Sequence, residues 1–397
     1  MSVEAPATPT PHRGCWCEGP PRLLYAGFDG LDVAFQGCVS DKVLPLLADS
    51  RAEAEALNGP VAREVNSLCF TVAPSGAKNG FRYRLDTGDD GEVWLVKHNA
   101  DARQWNLFAS VRSFTLLTYG YPGVKRRLFE RLARLEATVA AASVNRVDFA
   151  CDLDAPGFEP DPECFVAPAR TQARSYHPGD GAREGERLEV HRLARRVNGI
   201  TIGRMPGRQV CFYDKRADCL LKRKPHWPAA WGLDLTKHRD AVWRVEARAG
   251  RDELARHLAV RSFDCLEVGL VPIVASILDK IRYVQPSPTD LNPARWPIHL
   301  LWDLANQHIL AAIEAHAFEP SPPRRDLPIP LASKREMLRR QLIGLSRSYA
   351  ALSGVREGQA GEIGDLVGAV LDTDWRENPD KAEQGLARAR ARHGVFA

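Results

Sequence analysis

The chain lacks several features that would place it in a simple class of protein. No apolar run approaches the roughly 20 residues that a membrane helix requires, and the first 20 residues lack the apolar core of a signal peptide. Its nine cysteines are an odd number without regular spacing, which favours reduced thiols over a disulfide framework. We therefore predict a soluble protein of the cytoplasm.

The sequence also lacks a large excess of charge of one sign. The chain has 54 basic and 50 acidic residues and a net charge of +4, so it is not a basic polymer that binds nucleic acid by charge alone. No Gly-x-x-x-x-Gly-Lys-Ser/Thr loop is present, which argues against a nucleotide-phosphate site of that type. Any affinity for nucleic acid must therefore come from local clusters of cationic side chains.

Hydrophobic periodicity predicts an α+β fold. With 397 residues, 44% of them hydrophobic, the chain can fill a sizeable core. Alternation of apolar and polar residues indicates strands, and three- to four-residue spacing indicates helices. The predicted elements are strand 25–36, helix 41–57, strands 67–72, 81–85, 92–98 and 110–118, helix 124–142, strand 145–153, helix 161–174, strands 189–191, 200–204, 209–213 and 242–249, and only helices from residue 252 onward.

These elements predict a largely antiparallel sheet core with a helical C-terminal extension. Residues 1–22 are predicted to be a disordered tail, 23–262 a catalytic domain, and 263–397 a helical region with a Pro-rich linker near 319–331. Leu31-Asp-Val-Ala-Phe35 faintly echoes Val147-Asp-Phe-Ala-Cys151, which suggests two similar strand-helix-meander halves.

Three of the predicted strands carry the chemistry. Successive side chains of a strand point to opposite faces, so the charged residues of each strand share one face and the apolar residues the other. The tyrosine strand places Gln209, Cys211 and Tyr213 together, opposite Val210 and Phe212. The residues that share a face on the two flanking strands are Arg146, Asp148 and Asp152 upstream, and Arg244, Glu246 and Arg248 downstream.

Two interpretations of this polar face stay open. As structure, it is a solvated face with cross-strand ion pairs, each stabilising by about 0.2–1 kcal/mol, and a strand tyrosine usually packs. As chemistry, a phenol, carboxylates and arginines on one face are what phosphodiester cleavage by tyrosine requires. The ordered conjunction of the three strands favours the second interpretation.

Each residue type then has a role. Mg²⁺ or Mn²⁺ prefers carboxylate oxygens, so Asp148, Glu246 and, as a second-rank choice, Asp152 are the candidate ligands. Lys215 follows Tyr213 by two residues and lies on its face if the strand continues, where it would lower the phenol's pKa or hold the leaving group. Arg244 is the candidate for positive charge on the phosphate oxygens.

The ordered segments Asn145-Arg-Val-Asp-Phe-Ala-Cys-Asp152, Val210-Cys-Phe-Tyr-Asp-Lys215 and Trp243-Arg-Val-Glu246 resemble the replication initiation factor family, Rep_trans type, of rolling-circle plasmids and some phages. The resemblance covers roughly residues 25 to 260. It implies a topoisomerase-like endonuclease that nicks and closes one origin strand through a 5′-phosphotyrosine on Tyr213 and leaves a 3′-OH. It also implies a homodimer that works on origin DNA with a host helicase and DNA polymerase.

DNA contacts are expected in the Arg- and Lys-rich loops at residues 183–196 and 216–224, which would make binding steeply salt-dependent. The individual candidates are Arg146, Arg208, Lys222, Arg223, Lys224 and Arg248. No His-hydrophobic-His motif occurs, which disfavours the tyrosine nickases whose metal sits on paired histidines. The open alternatives are a nickase for transfer or integration of a mobile element, a non-catalytic DNA-binding regulator on the same scaffold, and an unrelated protein with a structural polar face.

Overall fold

The computed structural model describes residues 19–168, 171–173, 186–193, 196–316, 324, 330–356 and 358–393. Most of the predicted tail at 1–22 lies outside the described residues. The same holds for most of the predicted linker near 319–331 and for part of the predicted DNA-contact loop at 183–196.

Fourteen strands and nine α-helices are present in the described part of the chain. The strands are β1 (Arg22–Cys38), β2 (Val61–Val65), β3 (Leu68–Val72), β4 (Phe81–Asp86), β5 (Glu92–Lys97), β6 (Trp105–Val111), β7 (Thr138–Asp154), β8 (Phe165–Val166), β9 (Thr171–Ala173), β10 (Glu186–Leu193), β11 (Arg196–Gly203), β12 (Arg208–Asp214), β13 (Val242–Gly250) and β14 (Arg282–Tyr283). The helices are α1 (Val43–Ala56), α2 (Ser113–Arg134), α3 (Lys215–Lys222), α4 (His226–Trp231), α5 (Phe263–Leu278), α6 (Leu300–His316), α7 (Pro330–Leu352), α8 (Glu362–Glu377) and α9 (Pro379–His393).

The chain divides into two compact units. The first unit comprises residues 1–31 and 144–321, and the second comprises 32–143 and 322–397. The division falls after Leu31, inside β1, so β1 is counted in both units. In the first unit the strand order is β1-β7-β13-β12-β11-β10-β9, with antiparallel pairing from β7 to β10. In the second it is β2-β3-β4-β5-β6-β1, antiparallel from β2 to β6. The predicted α+β fold with a largely antiparallel sheet and C-terminal helices is confirmed.

Each unit has a long strand that is followed along the chain by antiparallel strands. A helix comes after the last of these strands, α2 after β6 in the second unit and α5 after β13 in the first. The division assigns residues 263–321 to the first unit, whereas the sequence predicted a separate helical region from residue 263. No helix among the described residues is long and apolar enough to cross a membrane.

The core of the first unit explains where its polar face lies. Val147, Phe149 and Leu153 of β7 are fully buried, as are their neighbours on β12 and β13, where Phe212 stacks on Trp243 with ring centroids 5.0 Å apart. Helix α5 packs against β12 and β13 with buried apolar residues at three- and four-residue spacing. Because one sheet face is committed to this core, the opposite parity is left for the charged residues.

Several predicted elements were wrong, among them the all-helical region from residue 252 onward, which contains the strand β14 (Arg282–Tyr283). The strand predicted at 110–118 ends at Val111, and α2 begins at Ser113, because Phe114, Leu117 and Tyr121 continue the helical spacing. The helix predicted at 124–142 ends at Arg134, and β7 begins at Thr138. The helix predicted at 161–174 is a single 3₁₀ turn followed by short strands in the described residues.

Candidate active site

The tyrosine strand lies between strands in the register that the predicted shared face requires. Tyr213 of β12 is opposite Arg244 of β13, and Cys211 is opposite Glu246. Neighbouring positions of the same parity lie on one face, so the phenol and the Glu246 carboxylate share it. The sequence prediction that these strands are neighbours with a common polar face is confirmed by this pairing.

The upstream strand completes the arrangement. Arg248 of β13 is opposite Asp148 of β7, and Arg244 is opposite Asp152. The polar face therefore has two carboxylates on β7 and one on β13, with arginines between them. The side chains divide into two clusters: the phenol with Glu246, which Arg248 connects to Asp148, and the buried Arg244 with its own acids.

The Tyr213 hydroxyl is held between a carboxylate and an ammonium group. Its oxygen donates a hydrogen bond to Glu246 Oε2 at 3.1 Å, and Lys215 Nζ donates to it at 3.3 Å. Burial raises the pKa of Tyr213 well above its usual value, and the Glu246 charge raises it further. The resting phenol is therefore neutral, and its proton already points at a carboxylate.

Lys215 reaches the phenol by a route that strand parity did not predict. Strand β12 ends at Asp214, whose carboxylate accepts a hydrogen bond from the Ala217 N–H at 3.1 Å and so begins helix α3. Lys215 is the first residue of that helix, and its side chain turns back to the phenol. It is only 2% exposed, and burial, with the charge of Arg244, lowers its pKa.

The predicted loop at 216–224 is therefore wrong for most of its length, since α3 runs to Lys222. An Asp whose carboxylate accepts a hydrogen bond from the backbone N–H three residues later is a standard N-cap of a helix. The sequence analysis predicts the end of the strand at this point but does not identify Asp214 as an N-cap. The helix fixes Lys215 more rigidly than a loop would.

Asp148 and Glu246 form a carboxylate pair on the polar face, in which Glu246 contacts the phenol and Asp148 interacts with the Glu246 charge. Each is 2% exposed. Arg146 donates two hydrogen bonds to Asp148, at 2.9 and 2.5 Å, and Arg248 Nε lies 2.8 Å from Glu246 Oε1 and 4.0 Å from Asp148 Oδ2. Burial raises the pKa of Asp148 to about 7, because the Glu246 charge adds to the effect of burial while the hydrogen bonds from Arg146 oppose it.

This pair is an oxygen donor set of the kind that Mg²⁺ or Mn²⁺ takes in proteins, where one or two carboxylates and several waters complete the shell. A Cβ added at Gly30 would lie 2.5 Å from Asp148 Oδ2, so the carboxylate occupies space that only glycine leaves free. Across the ranges that the structure describes, no group of three or more His, Cys, Asp or Glu side chains is arranged to hold a metal. Both carboxylates are of the type that a hard cation prefers and both are engaged by arginines, Asp148 by Arg146 and Glu246 by Arg248, so the metal stays a prediction.

Asp152 belongs to the second cluster. Its two oxygens accept hydrogen bonds from Arg244 Nε at 2.5 Å and Nη2 at 2.7 Å, and Trp231 Nε1 donates to it at 2.9 Å. Arg244 Nη1 donates to Asp29 Oδ1 at 2.7 Å. The structure thus engages Asp152 with Arg244 and Trp231, and its role as a metal ligand stays a prediction.

Arg244 is fully buried and enclosed by aromatic rings. Its guanidinium carbon lies 4.0 Å from the centroid of Trp227 and 5.9 Å from that of Tyr25. Burial alone lowers the pKa of an arginine, but the charges of Asp152 and Asp29 outweigh it and raise the pKa of Arg244. A guanidinium held this tightly positions β13 and its neighbours, and in this conformation it does not face solvent.

Several residues of the site were missed at the sequence level. Asp29 and Gly30 stand in the first predicted strand but were assigned no role. Trp227 and Trp231 lie four residues apart on α4, in a segment predicted to be a loop, and that helical spacing was the available signal. Gly199 was also missed: a Cβ there would lie 2.9 Å from the Cβ of Tyr213 on the neighbouring strand.

The cationic residues predicted to contact DNA are mostly engaged by acids of the first unit. Arg146 and Arg248 hold the carboxylate pair, and Arg208 Nη1 lies 3.4 Å from Glu253. Lys222 and Lys224 lie 2.7 and 3.2 Å from Asp218 oxygens. Arg223 ends α3 in the left-handed conformation, with φ 53°. Their contact with DNA stays a prediction.

Comparison with known proteins gives little. No family model matches the chain, and no curated protein matches it. One solved structure that aligns with it is the rolling circle replication initiator protein from Geobacillus stearothermophilus, with 17% identity and a TM-score of 0.33, over 73% of this chain and 97% of that one. A similarity of this size carries no argument about activity, so the proposal rests on the geometry of the site.

Proposed function

We propose that the chain is a metal-dependent DNA nicking-closing enzyme that initiates rolling-circle replication. One observation carries the proposal: the Tyr213 hydroxyl is hydrogen-bonded to both Glu246 and Lys215, on the sheet face that also holds Asp148. A phenol that only packs does not need a buried carboxylate and a buried ammonium group on its oxygen, since both cost free energy to desolvate.

The first step of the mechanism is attack by the phenol. Tyr213 Oη forms a bond to the scissile phosphorus while its proton passes to Glu246 Oε2, the atom that already accepts it. The bond between phosphorus and the 3′ oxygen breaks, and the 5′ phosphate remains on the tyrosine. Closing is the reverse reaction, and because one phosphodiester replaces another, no nucleotide cofactor is needed.

Lys215 stabilises the attacking oxygen. Its ammonium donates a hydrogen bond to Tyr213 Oη at 3.3 Å, so its positive charge offsets the negative charge that develops there as the proton leaves. The attacking and leaving oxygens lie on opposite sides of the phosphorus, so the 3′ oxygen takes its proton from water. The product is the 3′-OH that a polymerase extends, and in closing this hydroxyl loses its proton to water while Glu246 returns its proton to Tyr213.

The two oxygens of Glu246 have different neighbours. Oε2 accepts from Tyr213, whereas Oε1 lies beside Arg248, which also approaches Asp148. A bound Mg²⁺ or Mn²⁺ supplies positive charge for the non-bridging phosphate oxygens. Asp148 and Glu246 Oε1 would hold it, and Arg146 and Arg248 stabilise the carboxylates before it binds.

As a replication initiator of the Rep_trans type, the protein would act on origin DNA and recruit a host helicase and DNA polymerase, as a homodimer. Transfer or integration of a mobile element needs the same nicking chemistry and is not distinguished by the site. Both roles depend on the same Tyr213 adduct.

A second candidate is a DNA-binding regulator without catalytic activity. It is favoured by two observations: Arg146 and Arg248 already compensate the two carboxylates, and the pKa of Tyr213 is raised rather than lowered. In that case the polar cluster holds β7, β12 and β13 together and has no metal.

The test is incubation of the protein with Mg²⁺ or Mn²⁺ and a supercoiled plasmid that carries the DNA flanking its gene. We expect relaxed circles and a covalent protein–DNA adduct with the wild type and neither with Tyr213→Phe. Equal nicking by both proteins would refute the tyrosine assignment. Binding without nicking in either metal would identify the regulator.

A further inference from the structure

The second unit has an unusual sheet face. On β5, the side chains of Trp94 and Val96 are fully buried, so Val93, Leu95 and Lys97 point the other way and are half-buried. On β6, Phe108 is opposite Leu95 and is half-buried as well. Solvated sheet faces normally carry polar residues, whereas this one has apolar side chains at its centre.

A β-bulge adds a second ring to this face. The pairing of β4 with β5 slips between Phe81 and Tyr83, so that Tyr83 is opposite the buried Val96 while Phe81 is opposite Lys97. Without the slip, Phe81 would share the inward parity of Tyr83. Its ring lies 6.1 Å from that of Phe108, and Lys97 Nζ lies 5.2 Å from the Phe81 centroid. We call Phe81, Leu95, Lys97 and Phe108 the aromatic face.

The charge around the aromatic face is uncompensated. Arg82 and Arg84 of β4 are exposed, and Lys97 is half-buried. None of the three has an ion pair with a carboxylate in the part of the chain that the structure describes. The nearest acid on β4, Asp86, is paired with Arg112 at 2.6 Å. Three cations therefore flank two rings.

We propose that the aromatic face binds single-stranded nucleic acid, with bases stacked on Phe81 and Phe108 and backbone phosphates at Lys97, Arg82 and Arg84. Rings and free cations together suit a ligand with flat apolar faces and a regular anionic backbone. A duplex hides the faces of its bases, whereas a single strand exposes them. This inference rests on the proposed function and deepens it, because displacement of the nicked strand during rolling-circle replication produces single-stranded DNA.

The test measures anisotropy of a fluorescein-labelled oligothymidylate of about 15 nucleotides in EDTA, where no metal-dependent cleavage occurs. Phe81→Leu and Phe108→Leu keep an apolar side chain but remove the ring, and each should weaken binding roughly tenfold. Lys97→Gln keeps both rings and should reduce the salt slope by about one ion. The matched control is Trp105→Leu, an exposed ring of the opposite parity on the same strand, which should change nothing.

The outcomes separate the alternatives. Wild-type affinity in both Phe variants, or an equal loss for duplex DNA, would overturn the inference. A changed sedimentation coefficient with unchanged oligothymidylate binding would also overturn it and would indicate a protein partner on this face. If a variant loses its cooperative thermal transition, ultraviolet cross-linking of wild type to the oligothymidylate replaces it, and cross-links away from residues 81 to 108 would refute the assignment.

Failure of this inference is distinct from failure of the proposed function. A protein that binds oligothymidylate through the aromatic face but never nicks DNA refutes the function and leaves the inference standing. A protein that nicks through Tyr213 and binds oligothymidylate equally well without the two rings does the opposite.

Discussion

Both units have a long strand followed by antiparallel strands and then a helix, but the sheet faces opposite their cores differ. In the first unit the face of β7, β12 and β13 opposite the core carries Tyr213, Glu246 and Asp148. In the second unit the face of β4, β5 and β6 opposite its core carries Phe81, Leu95 and Phe108. Asp32, the residue that echoes Asp148 in sequence, accepts a hydrogen bond from Ser110 at 2.6 Å. The face opposite the core is thus polar in the first unit and apolar at its centre in the second.

Buried carboxylates by themselves do not distinguish the units. Glu92 of the second unit is 0% exposed, but it lies on the inward face, where Thr87 donates to it at 3.0 Å and Arg127 at 2.7 Å. Glu246 is equally buried but is bonded to a phenol and lies beside a second carboxylate. The hydrogen-bond partner of a buried acid and the sheet face on which it lies therefore distinguish the two units better than its burial does.

The largest effects on the nicking rate are expected from substitutions of the two carboxylates on the polar face of the first unit. Glu246→Gln and Asp148→Asn should each reduce the nicking rate by about 10²–10⁴-fold, because they remove the proton acceptor and a metal ligand. Plasmid binding should persist. Glu92→Gln is the matched control, with an unchanged nicking rate below its melting temperature. If Glu92→Gln stops nicking as completely as Glu246→Gln, the distinction between the units is wrong.

The next effect concerns the buried arginines. Arg244→Met leaves Asp152 and Asp29 buried without their cation, so the free energy of unfolding should fall by about 3–5 kcal/mol. Arg127→Met in the second unit should cost less, because Arg131 also lies 3.8 Å from Glu92. Urea titration of both variants measures the difference. A smaller loss for Arg244→Met than for Arg127→Met would contradict the assignment of Arg244 as the structural centre of the first unit.

A pH effect of similar or smaller size follows from Asp148. Its folded pKa of about 7 lies above the usual 3.8, so the stability it contributes is complete below about pH 4 and is lost as the pH rises through 7. In EDTA, wild-type stability should therefore fall relative to Asp148→Asn between pH 4 and 8, by at most about 4 kcal/mol. Urea midpoints at several pH values measure this. A constant difference between the two proteins would show that the carboxylate pair is not strained.

The smallest effect on the nicking rate is expected at Gly30, which lies against the Asp148 carboxylate. Gly30→Ala places a Cβ 2.5 Å from Asp148 Oδ2 and must displace that carboxylate, so nicking below the melting temperature should fall by about tenfold and the free energy of unfolding by about 1–3 kcal/mol. Gly364→Ala in α8, where no atom lies within 4 Å of the added Cβ, is the control and should leave nicking unchanged. Equal nicking by the two variants would show that the position of Asp148 is not critical.

The features of the fold and the site that could be predicted from the sequence are those that depend on residues close together in the chain. The shared parity of Tyr213 and Glu246 was predicted, because alternation along a strand is local. The contact between Lys215 and the phenol was also expected, but through a strand that in fact ends one residue earlier at the Asp214 cap. The start of α2 was misassigned because Ser113 to Thr118 fits both alternation and helical spacing over so short a run.

Long-range pairing explains the remaining misses. Arg244 meets Asp152 from 92 positions away and Asp29 from 215 positions away, and no local pattern specifies which acid it selects. The engagement of Asp152 by Arg244 and Trp231 therefore became visible only in the fold. The bulge that turns Phe81 outward has the same character, since it depends on how β4 pairs with β5.

The most direct test of the account is the chemical identity of the covalent adduct. The protein is incubated with Mg²⁺ and the supercoiled plasmid, the DNA is digested with nuclease, and the peptide that retains a nucleotide is sequenced by mass spectrometry. The account predicts a nucleotide joined through its 5′ phosphate to Tyr213. An adduct on any other residue, or nicked DNA formed at the wild-type rate by Tyr213→Phe, would contradict it.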